Sequence, residues 1–448
     1  HSACTSRPVG SIVVAQQNSK VVRQQPMRGG VMRVSSALRR KALGAGHTCV
    51  VGCVLVASVA SCSPDRDSDS QEAGPIYIEP TEVHVVGRSD ALAVVHDLEV
   101  LPDGRIWVLN SLPPFFIGFG PDGELIGTHG EVGGGPEEFR RPAGFVVGAP
   151  EGEAWVLDTH RHGLVRVSRP DEPWTEVRLP RADLPPGTVQ GGLDLLTPLV
   201  RTARLGDEVV IPHSTGTLES GAFSMVETIL KADLMTLDPA TGGVERVLSI
   251  GRTLDDPFSE FTPTEGGFPL WKRLWAVCGG HLRVYDRVRN QLRGFDRSGG
   301  ELEPLGLPPT GLAEVAPQDF ARVVFPLRQA EITGGVGDRL SSEDSLRLVT
   351  QMARGVKGSA AELAAYLPPF VDFRCSPSGT MWLRPIELDG AGLAGGRPWL
   401  RVDRDGGSRV IMLPPRFDAL RFLEDRVFGA LRDDLDVPSV AWAQLPGG

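Results

Sequence analysis

From about residue 80 onward the chain is made of short apolar runs cut by clusters of Gly, Pro, Asp and Asn. The runs are too brief for helices and many hold Val, Ile, Trp or Phe, so the pattern predicts β-strands joined by tight turns. One unit recurs: a short apolar strand, a tight turn, a second strand often bearing Trp or Phe, a third strand, and a Gly-bearing turn into a fourth. The first turns fall at Pro102-Asp103-Gly104, Pro150-Glu151-Gly152, Leu205-Gly206-Asp207, Cys278-Gly279-Gly280, Pro377-Ser378-Gly379 and Glu424-Asp425. Second strands follow at Ile106–Leu109, Ala154–Leu157, Glu208–Ile211, Leu282–Tyr285, Met381–Leu383 and Val427–Ala430. Gly and Asp in the turns supply the positive φ or the side-chain capping that hairpins need.

Six such units predict an all-β fold, a six-bladed β-propeller over residues 76–446. The blades are expected at 95–130, 142–180, 195–250, 270–307, 370–413 and from Arg416 to near Leu445. The last unit has only three strands, while the segment Glu82–Val86 ahead of the first has no partner of its own. That segment is expected to complete blade six and seal the ring, which removes an unpaired sheet edge. Between blades four and five the period changes. Phe320, Val324 and Leu327 have helical spacing, Ser341 stands three before Asp344, and Ser359 stands three before Glu362. Residues 310–368 therefore read as a helical insert on one face, either lidding the central channel or covering apolar surface.

The junction of the first two blades carries Gly133-Gly134-Gly135-Pro136-Glu137-Glu138-Phe139-Arg140-Arg141-Pro142, with Val156-Leu157-Asp158 after it. This resembles the junctions of NHL-type propellers. Residues 75–446 as a whole resemble six-bladed propeller lipoproteins of the NHL and TolB-like groups. The usual Asn and Arg after that Asp are replaced by Arg161 and Gly163. The resemblance implies a fold and leaves function open.

Residues 1–31 show no period, and Met32 is the expected start, with Met27 the alternative. Arg33, Arg39, Arg40 and Lys41 then form a basic region ahead of a mostly apolar run, Cys49–Ala60. Val59-Ala60-Ser61-Cys62 resembles the bacterial lipobox, which implies cleavage before Cys62, diacylation of its thiol, and stable attachment to a membrane. Residues 1–61 thus read as upstream segment and signal peptide, and 62–75, rich in Asp and Ser, as a tether. A membrane-spanning helix over 42–61 is the competing reading. Ser63 after the Cys resembles outer-membrane lipoproteins, which implies a cell-envelope location facing the periplasm or the exterior.

Charge sharpens this picture. Residues 1–61 hold eight Lys/Arg and no Asp/Glu, leaving 38 basic against 56 acidic residues in the rest, a net −18. So acidic a body argues against a nucleic-acid partner. Of six Cys, three remain after cleavage: Cys62, Cys278 and Cys375. An oxidising compartment permits a disulfide between Cys278 and Cys375, but two buried free thiols is the plainer expectation.

No catalytic motif is present: no G-x-S-x-G elbow, H-E-x-x-H pair or P-loop. Propeller lactonases resemble this layout and hold a metal in the channel. Channel ligands are expected at the starts of the inner strands: His96, Asp97, Arg201, Arg204, Lys272, Asp372, Arg416 and Asp418. The set is mixed in sign and too poor in oxygen ligands for a hard cation. His160 and His162 would share a face, but zinc needs further ligands. On the rim, Arg140, Arg141 and Arg161 could meet an anion, although ion pairs with Glu137 and Glu138 are the commoner use. The expected function is a lipid-anchored binding module for a protein, peptide or glycan, with no cofactor, no metal and no catalytic residue. The alternative is a hydrolase or lyase with a channel metal.

Overall fold

In the computed structural model, the structure describes residues 75–446 apart from 80–81, 141, 148–153, 159–160, 162, 168–174, 179–200, 214–232, 242, 249–273, 310–311, 313, 333–341 and 389–395. Six sheets of antiparallel strands are each laid down mostly in chain order. Their inner strands are Val95–Val100, Pro142–Val147, Ala203–Leu205, Trp275–Cys278, Phe370–Cys375 and Phe417–Phe422. Each neighbours the next, and the last neighbours the first, so the six blades close into a ring.

Alternation along each strand sends one set of side chains to the preceding blade and the other to the following one. The result is one apolar cluster per blade interface. Phe116, Phe139 and Phe145 fill the seam of blades one and two, and Trp155, Leu157 and Ile211 that of two and three. Trp275, Leu282 and Val210 fill the third seam, Phe370, Phe373 and Leu292 the fourth. Trp382, Trp399, Phe417 and Phe422 fill the fifth, and Leu98, Phe119, Phe428 and Val440 the sixth. The Trp and Phe at second-strand positions in the repeat are therefore seam residues, held by the removal of apolar area from water.

The ring closes as the strand count requires. Val83–Gly87 pairs antiparallel with Pro438–Gln444, matching Val83 to Ala443 and His84 to Trp442. The His84 and Trp442 rings stack at 4.3 Å. At Gly123 (φ +83°) the last turn of blade one presses on this strand, and a Cβ there would collide with the Val86 carbonyl oxygen. Among the described residues three two-residue strands escaped the sequence pattern: Ile76–Tyr77 adds in parallel to Ser408–Leu413 as a fifth strand of blade five, and Glu131–Val132 pairs in parallel with Glu138–Phe139 within the Gly-rich junction.

The insert is helical: α1 (Pro317–Ile332), α2 (Ser342–Gly355) and α3 (Ala360–Tyr366). Ser359 and Glu362 form a reciprocal capping box at the start of α3. Val315, Phe320, Val324, Leu363 and Tyr366 pack with Ile386 and Leu388, just past the second strand of blade five. Arg287 donates to the carbonyls of Ala365 and Tyr366. These contacts put the insert on the face where inner strands begin, the near face, over blades four and five.

Candidate functional site

The inner strands wall a cavity of about 340 Å³ on the channel axis. Its lining runs from Asp97 and Glu99 past the strand ends to Gly206, Gly279, Gly280, Ser376 and Pro377. The mouth thus faces the turns where inner strands end, the far face. No described residue of the helical insert lines it. Of the two uses expected of that insert, its described contacts are those of a cover for apolar surface.

Blades one, three, five and six bring charge to the wall. Asp97 and Glu99 stand two apart on one strand and share a side. Asp372 and Arg374 do the same on blade five. The inner strands of blades one, five and six each slip register against their second strand just before the charged residue: between Val95 and Asp97, Phe370 and Asp372, and Ala419 and Arg421. Such bulges re-aim the residue that follows. Here they turn Asp97, Asp372 and Arg421 toward the axis.

Ion pairs cross the channel. Arg201, on blade three, reaches past blade four to give Nη2 to Asp372 Oδ1 at 2.8 Å and Nη1 to the Phe373 carbonyl at 2.6 Å. Arg374 lies 3.4 Å from Asp372 and 3.5 Å from Asp97. Arg421 Nη2 is 3.2 Å from Glu99 Oε2. Asp372 also accepts the Phe373 amide at 2.7 Å, which fixes its carboxylate beneath the two guanidiniums. Arg204, at the mouth, leans on exposed Asp207 at 3.4 Å. Thr202 is buried on the wall, and its Oγ1 has no hydrogen-bond partner, nor has Nε of Arg421.

Glu99 stands apart in its titration. Burial pushes its carboxyl up to about 7, Arg421 pulls it back, and Asp97 pushes it further. Burial also lowers Arg201, whose other guanidinium neighbour, Arg374, acts in the same sense against Asp372. For Arg374 burial is outweighed by Asp372 and Asp97, and its pKa is raised. Arg201 and Arg374 both stay charged, as Arg does in proteins.

Replacing Asp372 with Ala should therefore cost about 3 kcal/mol in a denaturant titration, because it leaves Arg201 and Arg374 half-desolvated without their shared carboxylate. Asp372→Ala unfolding at the same denaturant concentration as the parent would show the crossing pairs to be idle.

Among the residues expected at the site, Asp97, Arg201 and Arg204 line the cavity and Asp372 sits directly behind it. His96 falls within the bulge, does not line the cavity, and has its pKa lowered by burial. Arg416 is drawn off to the Asp433 carbonyl and Asp434. Asp418 is paired with Arg397. Arg161 is no free rim cation. It bonds the carbonyls of Gly135 and Glu138 at 2.9 and 2.8 Å and Glu176 at 3.1 Å. Buried Asp158 accepts the amides of Arg140 and Arg161. The Gly-rich junction is thus a packed corner that seats Phe139, and Arg161 is its clamp. Cys62, Arg141, His160, His162 and Lys272 lie outside the described residues. Glu99, Arg374, Arg421 and Thr202 were missed. The signal for the first two was simple: each stands two residues beyond a carboxylate already singled out.

The expectation of free thiols is overturned. Cys278 and Cys375 end the inner strands of blades four and five, their Cα atoms 5.3 Å apart, and they are disulfide-bonded. Cys375 belongs to the cavity wall.

No family model matches this chain, and no curated protein matches it. Solved structures do. Virginiamycin B lyase from Staphylococcus aureus is 10% identical, covering 81% of this chain and 99% of its own, with a TM-score of 0.39. A gluconolactonase from Xanthomonas campestris is 10% identical over 81% and 89%, with a TM-score of 0.38. Regucalcin from Agrobacterium tumefaciens, a calcium-binding protein, is 13% identical over 84% and 97%, with a TM-score of 0.39. Likeness this remote says nothing of activity.

Proposed function

We propose that the chain is a lipid-anchored binding propeller of the cell envelope, of the NHL or TolB-like kind, that takes a small carboxylate-bearing ligand into the far mouth of its channel. The carboxylate belongs to a sugar acid of a glycan or to the C-terminus of a peptide. One observation carries this reading. Around the cavity four guanidiniums, Arg201, Arg204, Arg374 and Arg421, face three carboxylates, Asp97, Glu99 and Asp372. Arg204 also meets exposed Asp207 at the mouth, so among the described residues these charges balance while Glu99 is ionised and leave one positive charge in excess, inside an otherwise acidic body, once Glu99 is protonated. Guanidinium forks suit carboxylates. A cavity of about 340 Å³ has the size of a small-ligand site. The disulfide supports residence in an oxidising compartment.

A second reading, a hydrolase or lyase, is favoured by Glu99, whose carboxyl near neutrality suits acid–base work. Its metal-dependent form draws little from the donor set. Among the described residues no three His, Cys, Asp or Glu side chains lie together, and the channel carboxylates are each turned on a guanidinium.

Calorimetry on the purified chain tests the binding reading with D-glucuronate and N-acetyl-trialanine, set against glucose and N-acetyl-trialanine amide. The acids should bind and the neutral analogues should not. Arg374→Met should weaken the acids by about tenfold or more, the worth of a charged hydrogen bond. Glucuronate alone binding would identify the glycan source, and the peptide alone the peptide source. Equal binding of acid and neutral probes, or no binding by any, would sink the proposal.

A further inference from the structure

We infer that the channel takes up its anion together with a proton on Glu99, so that binding tightens as the pH falls. This rests on the carboxylate-binding reading above and adds its regulation. Glu99 Oε2 occupies one arm of Arg421 at 3.2 Å, while the buried Nε of the same guanidinium has no partner. An arriving carboxylate would compete with Glu99 for Arg421 and would be repelled by its charge. A protonated Glu99 does neither. It frees the guanidinium, and its O–H becomes a donor to the ligand.

The groups around Glu99 fit this exchange. Its own strand contributes Asp97, blade six Arg421, and blade five Arg374. Among the described residues blade two adds only Val146 and Val147 to the wall beside them, and the residue paired across the sheet is Trp107. A second carboxylate on the same strand and a desolvated wall both favour the proton, so Glu99 changes charge near neutrality with the cavity empty. A bound anion adds negative charge and raises that pKa further.

The sign follows by linkage. Below about 7 the proton is already present and affinity is level. Above it, binding must draw a proton from solution, and affinity falls up to tenfold per pH unit until Glu99 of the complex also ionises. The phenomenon is testable on the full chain with D-glucuronate and N-acetyl-trialanine, whose carboxyls stay ionised throughout this window. The better-binding probe should bind about tenfold more tightly at about pH 6 than at about pH 8.5. Titrations in buffers of different ionisation enthalpy should show proton uptake at the higher pH. Glu99→Gln should keep the tight, acid-like affinity at both values and abolish the uptake. If the parent binds equally at both, or Glu99→Gln retains the pH dependence, the proton coupling is wrong while the pocket stands. If neither probe binds at either pH, the pocket itself is wrong and the coupling goes with it.

Discussion

A chain stopped after Asp436 is expected to yield no folded propeller. It would lose the strand Pro438–Gln444, which pairs on one side with Arg426–Arg432 and on the other with Val83–Gly87. Val440 is fully buried in the seam with blade one, and Ala441 and Ala443 in the seam with blade five. Two rows of backbone donors and acceptors would be left unpaired, and Val83–Gly87 would have no sheet to join. A typical domain holds only about 5–15 kcal/mol in reserve, and each buried apolar side chain of Val size accounts for roughly 1.5–3. Losing one strand of a closed ring exceeds that reserve, and the open edges invite aggregation. Circular dichroism and size-exclusion chromatography should show a non-cooperative melt and high-mass species. A synthetic peptide of residues 437–448 added during refolding should restore a cooperative melt. A truncated chain that melts like the parent would mean that the ring is not held at this seam.

That seam was legible in the chain for a physical reason. Closed rings leave no odd strands, so one unit short of a strand and one strand short of a unit identify each other. The blades were legible because their turns need Gly or Asp whatever the core does. Helix α3 was legible because Ser359 and Glu362 satisfy each other's backbone within a single turn. The channel was only half legible. Bulges at Val95–Asp97, Phe370–Asp372 and Ala419–Arg421 each shift a strand's alternation by one residue. Counting by twos across such a slip assigns the wrong face, and this hid Arg421, which lies across the slip from Asp418. His96 and Asp418 looked like channel residues because they stand where inner strands start, while Glu99 and Arg374 lie deeper, two residues beyond Asp97 and Asp372 on the same side. Arg161 misled in another way, because a cation beside a Gly-rich loop reads as exposed until the loop's carbonyls are found to surround it. The two-residue strand Ile76–Tyr77 is too short to show any period.

A Cys278–Cys375 disulfide was permitted by the sequence but not preferred over free thiols, because nothing local shows that residues 97 apart in sequence approach each other. Their bond gives the other large expected effect. Replacing both with Ser should destabilise the protein by about 4–5 kcal/mol, the loop-closure entropy for about a hundred residues. The loop so closed contains blade four's outer strands and the whole helical insert, so its release loosens a large part of the molecule at once. Thermal unfolding should fall by several degrees in the double variant, and dithiothreitol should bring the parent to the same midpoint without moving the variant. Cys375 follows Arg374 directly and lines the same cavity, so the variant should also bind D-glucuronate more weakly at temperatures where it is still folded. The bond ties blades four and five at the mouth, where Arg374 must be aimed at Asp97 and Asp372 across the channel. A reductant that leaves the parent's midpoint unchanged would mean that these two thiols do not staple the ring, and the support that an oxidising compartment lends to an envelope location would fall with it.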